Sequence, residues 1–273
     1  MLSARTAPAT TGADEFVLFA GGLRRICGID LAQYRRGQME RRVRTWVQRR
    51  GHEGLAPYLE LLRADKAELE AFLDRVTINV SQLWRNPDQW ARLEHDVLPE
   101  LIAAPPAGRL RAWSAGCSYG AEALTLAALA RHVAPRAQVR ITGTDIDRRI
   151  VERARTGVFT AEDARDAPAA LLERFFASGD DGTWKARPEI LASVAFEVGD
   201  LLRLPERREA YDLVLCRNTV IYFNDDVRDA LHGRLVASLR PGGYLVVGST
   251  ERVTDAAGLD LVPAHPFTYR KGT

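Results

Sequence analysis

Residues 110–122 read Leu110-Arg111-Ala112-Trp113-Ser114-Ala115-Gly116-Cys117-Ser118-Tyr119-Gly120-Ala121-Glu122. An apolar run leads into a turn of small residues, and a segment typical of a helix follows. Small residues let a cofactor approach the backbone closely, and the start of a helix offers free N–H groups. Glycine-rich turns also occur as plain connections, so spacing alone leaves both a nucleotide-type site and a tight turn open.

Short apolar runs and helical segments alternate on either side of this turn. The runs predict strands at 110–114, 139–145, 211–216 and 244–248, and helices at 121–132, 148–155 and 227–239. Such alternation predicts an α/β fold in which helices cover both faces of a parallel sheet. The turn residues Gly179-Asp180-Asp181-Gly182 predict a small β-hairpin inserted at about 176–198.

The first hundred residues instead repeat apolar positions at helical spacing, for example Phe16, Phe19 and Leu23. Pro105-Pro106 cannot continue a helix. The predicted organisation is a disordered start at 1–13, a helical domain at 14–83, a connecting helix and linker at 84–108, and a cofactor-binding domain at 109–273.

Composition excludes several classes of protein. The 273 residues contain 38 Lys+Arg and 36 Asp+Glu, and a net charge of +2 argues against a nucleic-acid or membrane-surface binder. The longest apolar stretch, 124–130, is far shorter than the ~20 residues of a membrane span. The first residues lack the features of a signal peptide, so we expect a cytoplasmic protein. The three cysteines and five histidines show no metal-ligand spacing, so we expect neither a disulfide nor a metal site.

Polar residues follow the second and third predicted strands, at the edge where ligands bind in such sheets. Asp145 lies roughly 25 to 30 positions after the glycine-rich turn, which is near the spacing of the carboxylate that binds ribose in such folds. Its alternative role is a helix N-cap, which Asp147 could fill equally well. Arg217 and Asn218 follow the third strand, and Tyr222 could present a phenol to a substrate. Alternatively, Arg217 could simply cap a backbone carbonyl, and Tyr222 could be a core residue. The turn lacks GxGxxG spacing, so adenosine without a diphosphate, as in S-adenosylmethionine, fits better than NAD.

Four motifs, in order, resemble the CheR family, the S-adenosylmethionine-dependent methyltransferases that esterify glutamates on chemotaxis receptors. They are Thr77-Ile78-Asn79-Val80-Ser81-Gln82-Leu83-Trp84-Arg85, the turn 113–122, Gly143-Thr144-Asp145-Ile146-Asp147, and Cys216-Arg217-Asn218 through Ile221-Tyr222-Phe223. The resemblance runs from about Phe16 to Tyr269. It implies a small helical domain followed by a Rossmann-like class I methyltransferase sheet with an inserted hairpin subdomain.

The resemblance also implies the cofactor, S-adenosyl-L-methionine, with S-adenosyl-L-homocysteine as product, and a cofactor site. The implied site residues are Asn79, Ser81, Arg85, Ala115, Gly116, Glu122, Asp145, Asp200, Leu201, Arg217 and Asn218. The family loop continues Thr-Gly-Glu-Glu-Pro-Tyr-Ser, whereas residues 119–125 here lose one acid, the proline and the tyrosine but keep Glu122. Asp200 replaces a common asparagine and can still accept from an adenine amino group.

Methyl transfer to an ionised carboxylate needs no general base, so the protein has to align the reactants. We assign two catalytic residues on this basis. Arg85 would fix the substrate carboxylate, and Tyr222 would donate an orienting hydrogen bond. The other readings are a methyltransferase with a different acceptor in a signalling system, and a non-catalytic module that binds the cofactor.

A basic segment suggests how the substrate docks. Between positions 24 and 50, nine arginines face two acidic residues, a local charge of +7. Such a run is usually a solvated helix face. The implied substrate is the cytoplasmic helical domain of methyl-accepting chemotaxis receptors, and the predicted docking residues are Arg35, Arg36, Arg42, Arg49 and Arg50. We also expect a monomer that does not need a receptor peptide tether, because the hairpin loop is short.

Overall fold

The computed structural model describes residues 12–76 and 81–273, which divide into two compact units. The helical unit contains residues 12–76 together with Tyr222–Asn224. The α/β unit contains residues 81–221 and 225–273. Most of the predicted disordered start, residues 1–11, lies outside the described residues, whereas residues 12 and 13 already belong to the first helix.

Four α-helices and a short 3₁₀ turn build the helical unit. They are α1 (Gly12–Cys27), the 3₁₀ turn Leu31–Gln33, α2 (Arg36–Arg49), α3 (Leu55–Ala64) and α4 (Lys66–Val76). Helix α1 ends where Gly28 takes a φ of +82°, which a glycine adopts readily. The core of the unit contains Phe19, Tyr58 and Phe72, and Phe72 packs edge-on against both other rings at 5.8 Å.

A distant segment completes this unit. The backbone N–H of Arg35 donates to the Tyr222 carbonyl (2.8 Å), and the N–H of Asn224 donates to the Gln33 carbonyl (2.9 Å). The rings of Tyr34 and Phe223 lie 5.0 Å apart. The end of the motif 216–223 is therefore held by the residues that precede α2.

The α/β unit contains most of the chain. Its strands are β1 (Arg109–Ala115), β2 (Gln138–Asp145), β3 (Val158–Phe159), β4 (Phe176–Ser178), β5 (Trp184–Ala186), β6 (Val194–Val198), β7 (Tyr211–Cys216), β8 (Leu239–Val247), β9 (Leu261–His265) and β10 (Thr268–Lys271). Its helices are α5 (Pro87–Arg92), α6 (Leu98–Ala103), α7 (Ala121–Val133), α8 (Arg148–Thr156), α9 (Ala169–Phe175), α10 (Pro188–Leu191) and α11 (Asp225–Ser238).

Seven of these strands form one sheet in the order β6-β2-β1-β7-β8-β10-β9. The first five are parallel, β10 is antiparallel to β8, and β9 is antiparallel to β10. The predicted α/β class is confirmed, and the sheet is mixed rather than wholly parallel. Helix α7 is buried throughout residues 121–130, so it forms the centre of the layer beside the sheet. Strand β8 begins at Leu239, earlier than predicted, because Leu239 already pairs with Tyr211. Residues 240–243 bulge out between that pair and the next one, in which Tyr244 pairs with Leu213.

The predicted hairpin forms, but its C-terminal boundary is wrong. Strands β4 and β5 pair antiparallel, and β3 adds a third strand along β5. Residues 194–198, placed in the hairpin insertion by the sequence analysis, form β6 at the edge of the large sheet, parallel to β2. The short helix α10 returns the chain to that sheet.

The predicted connecting helix forms part of the α/β unit. Helices α5 and α6 are joined by a π-helical turn, Leu93–Val97, so residues 87–103 are helical throughout. Leu98 is fully buried, and α6 packs against α7 and β1. This helix therefore belongs to the core of the α/β unit.

Candidate active site

The turn after β1 is pressed against the neighbouring strand ends. The backbone N–H groups of Gly116 and Cys117 both donate to the carbonyl of Thr144, the residue before the end of β2 (2.9 Å each). Gly116 has a φ of +80°, and a Cβ atom there would lie 2.5 Å from the Thr219 hydroxyl. Only glycine fits this position, because the Thr219 side chain fills the space that a Cβ atom would need.

Ser118 gives this turn an unsatisfied polar group. Its hydroxyl is buried and, within residues 12–76 and 81–273, has no hydrogen-bond partner. Its backbone N–H donates to Asp145 Oδ2 (2.9 Å). A buried hydroxyl without a partner is costly, and a bound polar ligand would satisfy it.

Asp145 and Asp147 have different roles. Asp147 Oδ1 accepts from the backbone N–H groups of Arg149 (3.0 Å) and Ile150 (3.4 Å), so it caps α8. The helix-cap alternative therefore applies to Asp147 and not to Asp145. Burial raises the pKa of the Asp145 carboxyl, and backbone hydrogen bonds from Asp147 and Ser118 partly oppose this. Each Asp145 oxygen retains a lone pair that could accept from a ribose hydroxyl.

The loop after β6 lies beside Asp145. The Gly199 N–H donates to the Asp145 carbonyl (2.8 Å), and Leu201 is buried. Asp200 Oδ1 accepts from the Leu202 N–H (2.9 Å) and fixes the start of the loop. The structure thus brings Asp200 and Leu201 to the edge of the sheet that carries Asp145.

Arg234 holds this loop from α11. Its Nε donates to the Leu201 carbonyl (3.3 Å), and its Nη2 donates to the Leu204 carbonyl. No sequence motif singles out Arg234, because it lies in the polar pattern of an ordinary helix.

Glu122 and Arg217 form a buried ion pair. Arg217 Nη1 lies 3.3 Å from Glu122 Oε2, and Glu122 Oε1 accepts from the Ser114 hydroxyl (2.7 Å). Burial raises the pKa of Glu122, while Arg217 and Ser114 lower it. Burial likewise lowers the pKa of Arg217. Ser114 on β1 donates to Glu122, and Gln89 on α5 accepts from Arg217, so both charges have further partners.

Arg217 also organises the segment that carries Arg85. Its Nη2 donates to the Arg85 carbonyl and to Gln89 Oε1 (2.7 Å each), and also to Asn86 Oδ1 (3.2 Å). The Trp90 indole donates to the same Arg85 carbonyl (2.9 Å). The backbone of Arg85 is therefore fixed from two sides. Gln89 is an additional site residue that the sequence analysis missed.

Glu251 supports the residues that follow Arg217. One oxygen, Oε2, accepts from the N–H groups of Asn218 (2.8 Å) and Gly248 (2.6 Å). The other, Oε1, accepts from Val220 (3.1 Å) and Ile221 (3.3 Å). Asn218 is left-handed, with a φ of +56°. Burial raises the pKa of Glu251, and these backbone hydrogen bonds lower it. A single glutamate in a loop gives no sequence signal for this role.

The residues that depart from the family loop are accommodated by packing. The Tyr119 hydroxyl donates to Asp163 Oδ1 (2.8 Å) and contacts the Ser81 carbonyl. Ala121 and Ala123 are fully buried in α7. Thr125 Oγ1 accepts from the Trp84 N–H (3.2 Å). These contacts tie the turn to residues 81–84.

Several predicted cofactor residues lie around one turn. Asp145 accepts from the Ser118 N–H within this turn, and Glu122 accepts from the hydroxyl of Ser114 just before it. Ala115 ends β1, fully buried beside Thr144. Asn79 lies outside the described residues. Arg85 belongs to the α/β unit, whereas Tyr222 belongs to the helical unit.

The predicted docking arginines fall into two groups. Arg36 is paired with Glu40 (3.4 Å), and Arg50 with Glu68. Arg35, Arg42 and Arg49 line a cavity in the helical unit.

Two further findings concern the part of the chain that the structure describes. It contains no group of three or more His, Cys, Asp or Glu side chains that could hold a metal ion, and no helix long and apolar enough to cross a membrane. Cys27, Cys117 and Cys216 are free thiols.

Comparison with known proteins gives the same pattern of domains. The family model for "CheR methyltransferase, SAM binding domain" matches residues 79–264, and that for "CheR methyltransferase, all-alpha domain" matches residues 14–77. The chemotaxis protein methyltransferase of Listeria monocytogenes is 30% identical over 257 residues, covering 94% of this chain and 97% of the relative. Chemotaxis protein methyltransferase 1 of Pseudomonas aeruginosa is 30% identical over 249 residues, covering 88% and 91%. An uncharacterized 104.1 kDa protein of Rhodobacter capsulatus is 36% identical over 228 residues, covering 82% of this chain and 24% of that protein.

The fold and the site together define an S-adenosylmethionine-dependent methyltransferase. The unsatisfied Ser118 hydroxyl and the half-buried Asp145 carboxylate fit a nucleoside cofactor. The chain belongs to the CheR methyltransferase family, and its cofactor is S-adenosyl-L-methionine.

Proposed function

We propose that the protein transfers a methyl group from S-adenosylmethionine to glutamate side chains of chemotaxis receptors, forming glutamyl methyl esters. The observation that carries this proposal is the buried Arg217–Glu122 pair, which fixes the backbone of Arg85 next to the cofactor turn. The names of the relatives, chemotaxis protein methyltransferases, support the class of substrate.

Each part of the cofactor has candidate partners in the α/β unit. We assign the ribose hydroxyls to Asp145, the adenine to Asp200 and Leu201, and the methionine part to Glu122. Ala115 and Gly116 would pass close to the cofactor along the turn after β1, with Ser81 and Asn218 at the margins of the cofactor site. When bound, the cofactor supplies a methyl group activated by a sulfonium.

The residues of this chain then have to align the acceptor. An ionised glutamate is already a nucleophile, so no proton has to be removed. Holding two reactants in line can lower a barrier by up to ~7–11 kcal/mol. Arg85 orients the acceptor carboxylate in this proposal, and Tyr222 donates a hydrogen bond to it. Arg217 acts as a positioning residue through the Arg85 carbonyl and Gln89.

The basic face of α2 is the proposed docking surface for an acidic receptor helix. Arg35, Arg42 and Arg49 line its cavity, and Arg36 and Arg50 extend the surface although both are ion-paired. Charge complementarity of this kind speeds and orients encounter more than it adds affinity.

Incubation with methyl-labelled S-adenosylmethionine and purified receptor cytoplasmic domains, followed by base treatment, tests the proposal. The expected result is label on the receptor that mild base releases as methanol, because methyl esters hydrolyse readily. Base-stable label, or label on another acceptor, would favour a different methyltransferase. Cofactor binding without any transfer would favour a non-catalytic module.

A further inference from the structure

The helical unit contains a cavity whose walls are rich in arginine. It has a volume of about 270 Å³ and is formed by α2, the end of α4 and the Tyr222 segment. We call it the arginine cavity. Its lining residues are Tyr34, Arg35, Gln38, Met39, Arg41, Arg42, Thr45, Trp46, Arg49, Arg75 and Tyr222. Among the lining residues that the structure describes, five are arginines and none is acidic.

The arginines of the cavity differ from those around it. Arg24, Arg44 and Arg63 are each paired with a carboxylate, at 3.1 Å or less. Within the described residues, Arg41, Arg42, Arg49 and Arg75 form no ion pair. Arg42 is half-buried and donates only to the Val76 carbonyl (3.1 Å). Among the described residues of the helical unit, most arginines outside the cavity are therefore paired with carboxylates, whereas these four arginines of the cavity are not.

Helix geometry aims these side chains at one place. Positions 38, 42, 45 and 49 lie three or four residues apart, so they form one face of α2, and Arg35 directly precedes the helix. Arg75 reaches the same cavity from α4. Burial lowers the pKa of Arg42, and the neighbouring Arg75 lowers it further, so the two guanidinium groups repel each other. An anion between them would remove that repulsion.

The shape and chemistry of the cavity specify the kind of anion. Guanidinium groups bind phosphate oxygens in bidentate geometry, and several groups in one concave site match a ligand with several acceptor oxygens. The half-buried Trp46 ring forms part of the wall, and its indole N–H is fixed by the Tyr58 hydroxyl (2.6 Å). A single carboxylate would satisfy only one of these arginines.

We propose that the arginine cavity binds a compact anion carrying two linked phosphate groups. Arg42, Arg49 and Arg75 form its main contacts. Arg35, Arg42 and Arg49 also belong to the proposed docking surface, so the bound anion competes with the acidic substrate. This competition rests on the proposed function, whereas the binding site does not.

Isothermal titration of the full chain with inorganic pyrophosphate tests the site without receptor or cofactor. At constant ionic strength we expect saturable binding of one pyrophosphate per chain. The double variant Arg49→Gln/Arg75→Gln should bind it at least about 10-fold more weakly, because two charge-assisted contacts are lost. The matched control Arg24→Gln/Arg63→Gln removes the same charge outside the cavity and should change affinity less than about 2-fold.

Three results would overturn the proposal. They are no saturable binding, an equal loss of affinity in both double variants, and citrate binding as tightly as pyrophosphate. Thermal unfolding of each variant checks its folding, and Arg41→Gln/Arg49→Gln, which changes only exposed positions on α2, serves if the first pair does not fold. Receptor methylation is absent from this titration, so its outcome is independent of the outcome of the methylation assay.

Discussion

Asp145 and Asp147 lie two positions apart, yet their carboxylates have different partners. Asp147 is committed to the first turn of α8, and Asp145 receives only single backbone hydrogen bonds on each oxygen. Sequence patterns could not separate the two roles, because either aspartate could cap the helix. The distinction depends on where β2 ends and α8 begins.

Replacing Asp145 tests directly whether Asp145 and Asp147 have different roles. Asp145→Asn should weaken binding of S-adenosylhomocysteine about 10- to 100-fold, since a hydrogen bond to a charged group contributes ~1.5–3 kcal/mol. Asp147→Asn is the matched control and should change affinity little, because asparagine caps helices as well as aspartate does. Titration calorimetry measures both. Equal effects of the two substitutions would contradict the assignment.

In the proposed mechanism, Arg85 aligns the acceptor carboxylate with the methyl group of the cofactor. Arg85→Ala should lower kcat by about 100-fold, the cost of a misplaced reactant, and change cofactor affinity much less. Single-turnover methylation and a separate cofactor titration provide the two values. An equal loss of both would show that Arg85 is only a cofactor ligand. An unchanged kcat for Tyr222→Phe would remove the phenol from the mechanism.

Glu251 determines the conformation of a whole loop. Its two oxygens accept four backbone N–H groups between residues 218 and 248. Glu251→Gln replaces one acceptor oxygen with an NH₂ group, so unfolding in urea should show a loss of roughly 1–3 kcal/mol. The exposed Glu206→Gln, which loses only a surface pair with Arg208, is the control. Similar losses in both variants would show that the buried carboxylate has no special role.

Helix α11 contains a buried histidine that makes stability depend on pH. His232 is 1% exposed, and neither ring nitrogen has a hydrogen-bond partner among the described residues. Burial lowers its pKa from 6.5 to about 4. The unfolded chain therefore takes up a proton at higher pH than the folded chain, and stability present above pH 6.5 is lost as the pH falls toward 4.

His232→Leu should remove this dependence. The wild-type protein should lose roughly 3 kcal/mol of unfolding free energy through this group between pH 6.5 and 4, and the variant should lose correspondingly less. Urea unfolding at several pH values measures the difference. Parallel curves for the two proteins would contradict the role of His232.

The elements differ in how well the sequence predicts them. The apolar runs of β1, β2 and β7 are bounded by turns, and their predicted ends lie within one residue of the observed ends. Strand β6 is short and alternates, so its pattern resembles the hairpin strands beside it, and only pairing with β2 assigns it to the large sheet. The antiparallel β9 and β10 also lack a distinct pattern, because β9 is largely exposed and contains Pro263.

Contacts between residues far apart in the chain limit what the sequence predicts. The motifs predict the turn after β1 and Asp145 as parts of the cofactor site, because their residue types follow from local chemistry. Glu251 and Arg234 act through backbone groups far away in sequence, so no local spacing indicates them. The attachment of Tyr222–Asn224 to the helical unit likewise depends on backbone pairing with residues 33–35.

Charge is unevenly distributed over the molecule, and the net charge of +2 does not reveal the basic face of α2. Arg42→Glu/Arg49→Glu should reduce receptor methylation at least about 10-fold at low salt and flatten its dependence on ionic strength. Cofactor affinity should not change. The control Arg24→Glu/Arg63→Glu makes the same charge change elsewhere in the helical unit. Equal loss of methylation in both variants would contradict docking on this face.

Tandem mass spectrometry of a receptor cytoplasmic domain, after incubation with this protein and S-adenosylmethionine, identifies the side chains that are methylated. Specific glutamate side chains should gain the mass of one methyl group, mild base should remove it, and Arg85→Ala protein should add it about 100-fold more slowly. Methylation of any other side chain, or unmodified receptor alongside demonstrated cofactor binding, would show that the protein is not a receptor glutamate methyltransferase.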